Sequence, residues 1–159
     1  MSKKHGLYVG SSGQLAVMSE FLVRGYNAAI PQVDVGDDIF VVRDTNGELF
    51  RIQVKTALAK QRKGNGFTAT FNVAERQLSL EPKPELHFVF AVRHRDRWAE
   101  FVVIDRKDLY NLYENQCVGS KSGDAVVIRL GFVADKVSCN RVDLSSFRGN
   151  WSKWPAIVH

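Results

Sequence analysis

The pattern of hydrophobic and polar positions along the chain predicts a series of helices and strands, with one β-hairpin as its strongest local signal. Two runs rich in Val, Ile and Phe lie within residues 33–55 and flank an Asn46-Gly47 pair. An Asn-Gly pair tolerates the positive φ angles that a two-residue hairpin turn requires. We therefore predict a β-hairpin over residues 33–55, with Asn46 and Gly47 at the centre of its turn.

Ahead of this hairpin, residues 14–24 read as a helix that begins after a serine N-cap and ends at Gly25. Residues 1–9 are expected to form a loose basic lead-in. At 100° per residue, the apolar side chains gather on one side of the helix. They are Leu15, Val17, Met18, Phe21 and Leu22. Gln14 falls inside this stripe, whereas Glu20 lies about 120° from Gln14, toward Arg24 and solvent.

The remaining pattern predicts mainly strands. Strands are expected at residues 26–30, 67–73, 86–92 and 98–104, a strand or extended pair at 123–133, and short helices at 74–80 and 106–113. Residues 86–92 are almost continuously apolar, which is typical of a strand covered on both faces. Asp105 is expected to cap the helix that follows it, and Trp151 and Trp154 to pack back onto the domain. The fold class is therefore α/β (α+β), in a single domain spanning residues 1–159.

Three polar side chains of the hairpin are predicted to share one face of the sheet. With a two-residue turn at residues 46–47, Asp38 lies opposite Lys55. Side chains of the same parity share a face, so Asp38, Gln53 and Lys55 project together and Asp37 points the other way. A slip of one residue would separate Asp38 from Lys55. Polar groups at positions that usually hold apolar residues either satisfy one another or hold a ligand.

Composition fits a folded protein with an anionic partner. Hydrophobic residues make up 45% and charged residues 25% of the 159 positions, and 22 Lys and Arg against 17 Asp and Glu give a net charge of +5. The two cysteines supply neither a disulfide framework nor a zinc knuckle, and the histidines lack metal-ligand spacing. No apolar stretch approaches the roughly 20 residues that span a bilayer, and the first residues lack a signal-peptide core. We expect a cytoplasmic protein that does not bind membranes.

The order helix, strand, hairpin, helix, strand resembles the PD-(D/E)XK nuclease superfamily, which includes restriction endonucleases and archaeal Holliday junction resolvases. The resemblance lies in an Asp at the head of one strand and a polar-x-Lys triplet, Gln53-Val54-Lys55, in the next. The local sequence is most similar to a bacterial branch of that superfamily with a Gln-x-Lys triplet. The similar segments are residues 13–14, 24–27, 36–39 and 51–56. The similarity covers about residues 10–57.

This resemblance implies a restriction endonuclease-like core, in which a central mixed β-sheet is flanked by helices. It also implies a Mg²⁺-dependent endonuclease, with Mn²⁺ as a substitute, that hydrolyses phosphodiester bonds in DNA. Carried over by position, Asp38 and Gln53 are the metal ligands, Lys55 orients or activates the attacking water, and Gln14 completes the catalytic set from the helix. Such chemistry needs a metal ion that neutralises the phosphate and generates hydroxide.

The sequence departs from the superfamily pattern because Gln14 and Gln53 stand at positions that are usually acidic. An amide oxygen can coordinate a hard cation, but it adds no charge. A second interpretation is therefore a catalytically inactive nuclease-fold protein that binds nucleic acid or a protein partner, and a third is an interaction scaffold. A monomer and a homodimer both stay open.

Other charged residues have candidate roles of their own. Asp34 and Asp37 are near enough to act as substitute ligands, and Glu20 would replace Gln14 if the helix were rotated. Phosphate-backbone contacts, or simply solvated loops, are expected for two basic segments. One contains Lys60, Arg62 and Lys63, and the other contains Arg93, Arg95 and Arg97.

Overall fold

The computed structural model describes residues 3–33 and 36–158. In chain order these residues form α1 (Lys3–Val23), β1 (Asn27–Ala29), β2 (Ile39–Arg43), β3 (Glu48–Leu58), β4 (Lys60–Gln61), β5 (Phe67–Ala74), α2 (Glu75–Ser79), β6 (Leu86–His94), β7 (Arg97–Asp105), α3 (Arg106–Gln116), β8 (Ser120–Ser122), β9 (Ala125–Val133), β10 (Lys136–Cys139), β11 (Val142–Asp143) and a 3₁₀ helix (Ser145–Phe147).

A five-stranded mixed sheet forms the centre of the fold, with the strand order β1-β2-β3-β6-β7. Strands β3 and β6 are parallel, and the other neighbours are antiparallel. The predicted mixed sheet flanked by helices is therefore confirmed. Strand β6 is buried from Leu86 to Val92, as its continuous apolar run predicted.

Two hydrophobic cores cover the two faces of this sheet. On one face, α1 and the C-terminal tail pack against β2 and β3, and the ring of Trp154 lies 5.2 Å from that of Phe21. On the other face lies a second sheet, in the order β11-β10-β9-β5-β4, with β8 paired to β9. The sequence predicted the packing of Trp154 but not this second sheet. Its short strands β10 and β11 carry too little pattern to be recognised alone.

The first helix is longer than predicted, because residues 3–9 continue it and are not a loose lead-in. Ser12 does not cap the helix. Its Oγ donates to the backbone carbonyl of Val9, 2.9 Å away, within the helix. Only part of the apolar stripe is buried, because Val17 and Phe21 are fully buried whereas Leu15 and Leu22 are 59% and 53% exposed.

The predicted end of that helix is confirmed. Gly25 has a φ of +85°, and its N–H donates to the carbonyl of Leu22 at 2.9 Å. A left-handed residue after the last turn is the usual way in which a helix stops, and glycine adopts it without steric cost. The predicted cap of α3 is also present, because Oδ1 of Asp105 accepts from the N–H of Asp108 at 2.8 Å.

The predicted hairpin is present, but its register differs by two residues. Arg43 pairs with Glu48, so residues 44–47 form a four-residue loop in place of the two-residue turn. The N–H groups of Asn46 and Gly47 both donate to the carbonyl of Arg43, at 3.2 and 2.8 Å. A shift of two residues preserves which face each side chain occupies. By this register Asp38 precedes Ile39 and lies level with Gln53, not Lys55.

Within residues 3–33 and 36–158, no helix has both the length and the apolar character needed to cross a bilayer.

Candidate active site

The candidate site lies where β3 extends beyond the end of β2. The pairing of β2 with β3 ends at Ile39 and Ile52, and from there to Leu58 β3 pairs only with β6. A cleft of about 370 Å³ opens along this uncovered edge, beside the N-terminal half of α1. All four predicted catalytic residues line it: Gln14, Asp38, Gln53 and Lys55.

The backbone and side chain of Asp38 both continue the hydrogen bonding of the β2–β3 ladder. Its N–H donates to the carbonyl of Ile52 at 2.9 Å. Its Oδ2 accepts from the N–H of Val54 at 2.7 Å and also from Nε2 of Gln53. The carboxylate thus takes the place of a strand carbonyl at the point where β2 stops, and it is fixed toward the cleft.

Gln14 reaches the same point from α1, because Nε2 of Gln14 donates to the backbone carbonyl of Asp38 at 2.5 Å. The preceding residue makes this approach possible. A Cβ on Gly13 would lie 2.1 Å from Oγ1 of Thr56, so only glycine allows the helix to pass this close to β3. Gln14 therefore supports the strand end that carries the carboxylate.

Gln53 is only 5% exposed, and both ends of its amide are engaged. Its Nε2 donates to Asp38, while its Oε1 accepts from Nε2 of Gln77 at 2.8 Å. Nε2 of Gln77 also lies 3.4 Å from the carbonyl of Gly36. Sequence reasoning missed Gln77, which lies in the predicted helix 74–80 with no motif around it. Only its position on the inner side of a short helix could have indicated that its side chain contacts other polar groups of the site.

Lys55 lies between two clefts. Besides the cleft that it shares with Asp38, it lines a neighbouring one of about 630 Å³ together with Gly36, Gln77 and Leu80. Its half-buried side chain has the same parity as Gln53 on β3. Lys55 therefore belongs to the lining of both clefts.

The acidic residues considered as substitute ligands lie elsewhere. Asp37 is 3% exposed, and its carboxylate accepts from Arg51 at 2.8 and 3.0 Å, so it is held in an ion pair and does not line the cleft. Glu20 pairs with Arg24 at 2.7 Å, which confirms the predicted direction of its side chain. Asp34 lies outside the described residues.

Oxygen ligands are the only kind that this cleft offers to a metal ion. In the described parts of the chain, no group of three or more His, Cys, Asp or Glu side chains is arranged to hold a metal. The cleft combines one carboxylate, from Asp38, with the amide of Gln53. Such donors suit Mg²⁺ or Mn²⁺, which keep several water ligands, although a single carboxylate gives a low charge. The site fits such a cation once the oxygen of Gln53 faces Asp38.

A groove lies between the β4–β5 hairpin and the β6–β7 turn, but Lys60, Arg62 and Lys63 are not among its lining residues. A cavity of about 520 Å³ is lined by Gln61 and Phe67 from the β4–β5 hairpin and by Arg95 and Arg97 from the β6–β7 turn. The side chains of the predicted phosphate-binding residues are exposed along that hairpin: Lys60, Arg62 and Lys63. Arg93 differs from its neighbours, since its guanidinium lies over the ring of Trp98 at 5.5 Å.

The fold is similar to that of a bacterial homing endonuclease, I-Ssp6803I, with a TM-score of 0.60 and 20% sequence identity. The similarity covers 96% of this chain and 90% of that chain. No family model matches the sequence, and no curated protein matches it at a significant level. Since structure is retained at lower sequence identity than function, this comparison shows a shared fold, in which a mixed central sheet is flanked by helices.

Proposed function

We propose that the protein is a metal-dependent nuclease of the PD-(D/E)XK type that hydrolyses phosphodiester bonds in DNA. The observation that supports this most is the meeting of Asp38, Gln53 and Lys55 in one cleft at the uncovered edge of β3. A carboxylate, an amide and an ammonium group meet there on a fold shared with an endonuclease. The stability of the fold alone would rarely require a carboxylate, an amide and an ammonium group to lie together at a strand edge.

Each residue has a role in this proposal. Asp38 and Gln53 would hold Mg²⁺ or Mn²⁺, and such an ion would supply positive charge for the phosphate and make water more acidic. Lys55, which lines the cleft, orients the attacking water and offsets charge on the phosphate oxygens. Gln14 keeps the strand end at Asp38 in place through its 2.5 Å hydrogen bond.

The exposed basic side chains of the β4–β5 hairpin mark the proposed path of the DNA backbone. Lys60, Arg62 and Lys63 follow directly after β3, the strand that carries Gln53 and Lys55. Contacts from lysine and arginine to phosphates give affinity that does not depend on base sequence and weakens with salt. Strand β3 would then carry the catalytic residues, and the hairpin directly after it would position the substrate.

The test is a cleavage assay with single-stranded, duplex and branched DNA in the presence of Mg²⁺ or Mn²⁺. At least one substrate should be cut, and EDTA should stop the reaction. Lys55→Ala should abolish cleavage, whereas Lys107→Ala, which removes the same charge from an exposed position of α3, should not. Absence of cleavage across the whole panel contradicts the proposal.

One observation favours the alternative of an inactive nuclease-fold protein that binds nucleic acid or a protein partner. Oδ2 of Asp38 already accepts two hydrogen bonds from Gln53 and Val54, and the usual second carboxylate is an amide. This alternative predicts DNA binding that depends on salt but is unaffected by EDTA. Tight binding of Mn²⁺, measured by calorimetry, would remove its support. The cytoplasmic location and a homodimer stay predictions from the sequence.

A further inference from the structure

The amides of buried Gln53 and half-buried Gln77 form a hydrogen-bonded pair whose present orientation is unsuitable for a cation. Nε2 of Gln53 donates to the Asp38 carboxylate, and Oε1 of Gln53 accepts from Gln77 at 2.8 Å. The group that faces Asp38 is therefore a hydrogen-bond donor. An NH₂ group has no lone pair available for a metal ion, so this arrangement offers the carboxylate alone.

Turning the Gln53 amide by half a rotation would bring its oxygen to the Asp38 side, but it would also bring its NH₂ group against that of Gln77. Two donors facing each other in a buried place are unfavourable. The conflict disappears if Gln77 turns as well, because its Oε1 then faces the NH₂ group of Gln53. That oxygen is buried, and it has no hydrogen-bond partner among the described residues.

We propose that Gln77 is a positioning residue that sets which end of the Gln53 amide faces Asp38, and thereby whether the cleft offers an oxygen to a divalent cation. This inference rests on the proposed function. Without a cation, the NH₂ group of Gln53 faces the carboxylate, since an oxygen there would be repelled. With a cation, both amides turn, and the unpartnered oxygen of Gln77 accepts from Gln53.

Glutamine is suited to this task because its side chain carries a donor and an acceptor at the same distance from the backbone. In the present orientation Gln77 uses its donor, toward Gln53 and more weakly toward the carbonyl of Gly36 at 3.4 Å. In the reversed orientation it uses its acceptor. A residue with donors only, or with acceptors only, would fix the Gln53 amide in one state.

The test uses the full chain with two substitutions of opposite hydrogen-bonding character. Gln77→Glu can only accept, and it should hold the Gln53 oxygen toward Asp38. Gln77→Lys can only donate, and it should hold the NH₂ group there. Ser79→Glu and Ser79→Lys introduce the same charges at an exposed position of α2 and serve as matched controls. Measurements at high salt reduce the effect of the added charges.

The first readout is the side-chain amide signal of Gln53 in ¹⁵N NMR spectra of the metal-free protein. It should shift in Gln77→Glu, which breaks the bond to Asp38, and should stay close to its original position in Gln77→Lys. The second readout is Mn²⁺ affinity by calorimetry. Relative to the controls, we expect roughly a fivefold gain for Gln77→Glu and a comparable loss for Gln77→Lys, as for one net hydrogen bond.

If the Gln53 amide signal is unchanged in Gln77→Glu, the inference is overturned, whether or not the protein binds metal. It is also overturned if the Gln53 amide signal has the same position in Gln77→Glu and Gln77→Lys. If the amide turns as expected but the unchanged protein binds no Mn²⁺, the nuclease proposal fails while the pairing of Gln77 with Gln53 stands. Each variant gives the NMR result by itself, so one folded variant is sufficient.

Discussion

Nε2 of Gln14 lies 2.5 Å from the backbone carbonyl oxygen of Asp38 and joins the first helix to the strand end that carries the candidate carboxylate. Gln14→Met keeps the size of the side chain but removes this donor. We expect the free energy of unfolding to fall by about 1 kcal/mol, as measured by urea denaturation. Ser19→Ala, at an exposed position of the same helix, should leave it almost unchanged. Equal stability of the two variants would show that the bond is unimportant.

Replacing Gln53 by glutamate should make the stability of the protein depend on metal. Gln53→Glu removes the donor to Asp38 and places a second carboxylate beside the first, so two like charges repel in a buried place. The melting temperature should fall in EDTA and recover with Mn²⁺, and the affinity for Mn²⁺ should exceed that of the unchanged protein. Gln61→Glu, at an exposed position of β4, should show neither effect. If Mn²⁺ does not change the melting temperature of Gln53→Glu, the proposal that Gln53 is a metal ligand is contradicted.

Neutralising the β4–β5 hairpin should weaken DNA binding without changing its sequence preference. Each of Lys60→Ala, Arg62→Ala and Lys63→Ala is expected to reduce the slope of log K against log salt by about 0.9 for each phosphate that the variant no longer neutralises. Fluorescence anisotropy across a salt series measures this slope. Lys107→Ala removes a charge from α3 and should keep the original slope. If all four variants share one slope, the DNA follows another surface.

Acid should destabilise the protein through His87. Burial, and then the Lys153 ammonium at 3.3 Å, lower the pKa of His87, and the opposing effects of Asp105 and Glu85 are weaker. The folded protein therefore keeps His87 neutral at pH values where the unfolded chain, with a pKa near 6.5, takes up a proton. Between 6.5 and the lowered pKa, the unfolded state binds more protons, so the free energy of unfolding decreases as the pH falls through this window.

Urea denaturation between about pH 7.5 and pH 5, a range set by the ordinary pKa of histidine, measures that slope. His87→Gln should reduce it, because the variant has no titrating group at this position. His5→Gln changes an exposed histidine of α1 and should retain it. The same pH slope in both variants would assign the effect to other groups.

The sequence predicted the shared face of Asp38 and Gln53 although it predicted the wrong partner for Asp38. The Asn46-Gly47 pair was recognised correctly as a turn, but loop length depends on how the strands twist and pack, which local sequence does not specify. The error was two residues, and side chains alternate with a period of two. The predicted face is therefore correct although the predicted register was wrong.

Other parts of the site could not be predicted because they depend on contacts between distant segments. Gln77 meets Gln53 only because α2 folds back against the sheet, and no spacing in the sequence links the two. The length of α1 was missed for a different reason. The predicted serine N-cap set the start of the helix at residue 14, whereas Ser12 lies inside α1 and donates to the carbonyl of Val9. The close approach of Gly13 to Thr56 is likewise a contact between distant segments that local sequence does not specify.

The uncovered edge of β3 has a further consequence for how copies of this protein behave in solution. A strand edge with unsatisfied N–H groups is a template on which another chain can add a strand and begin to aggregate. The Asp38 carboxylate accepts a hydrogen bond from the N–H of Val54 at the start of this edge and places a negative charge there. The residue proposed to bind metal would thus also discourage self-association, and Asp38→Ala should make the protein less soluble as well as inactive.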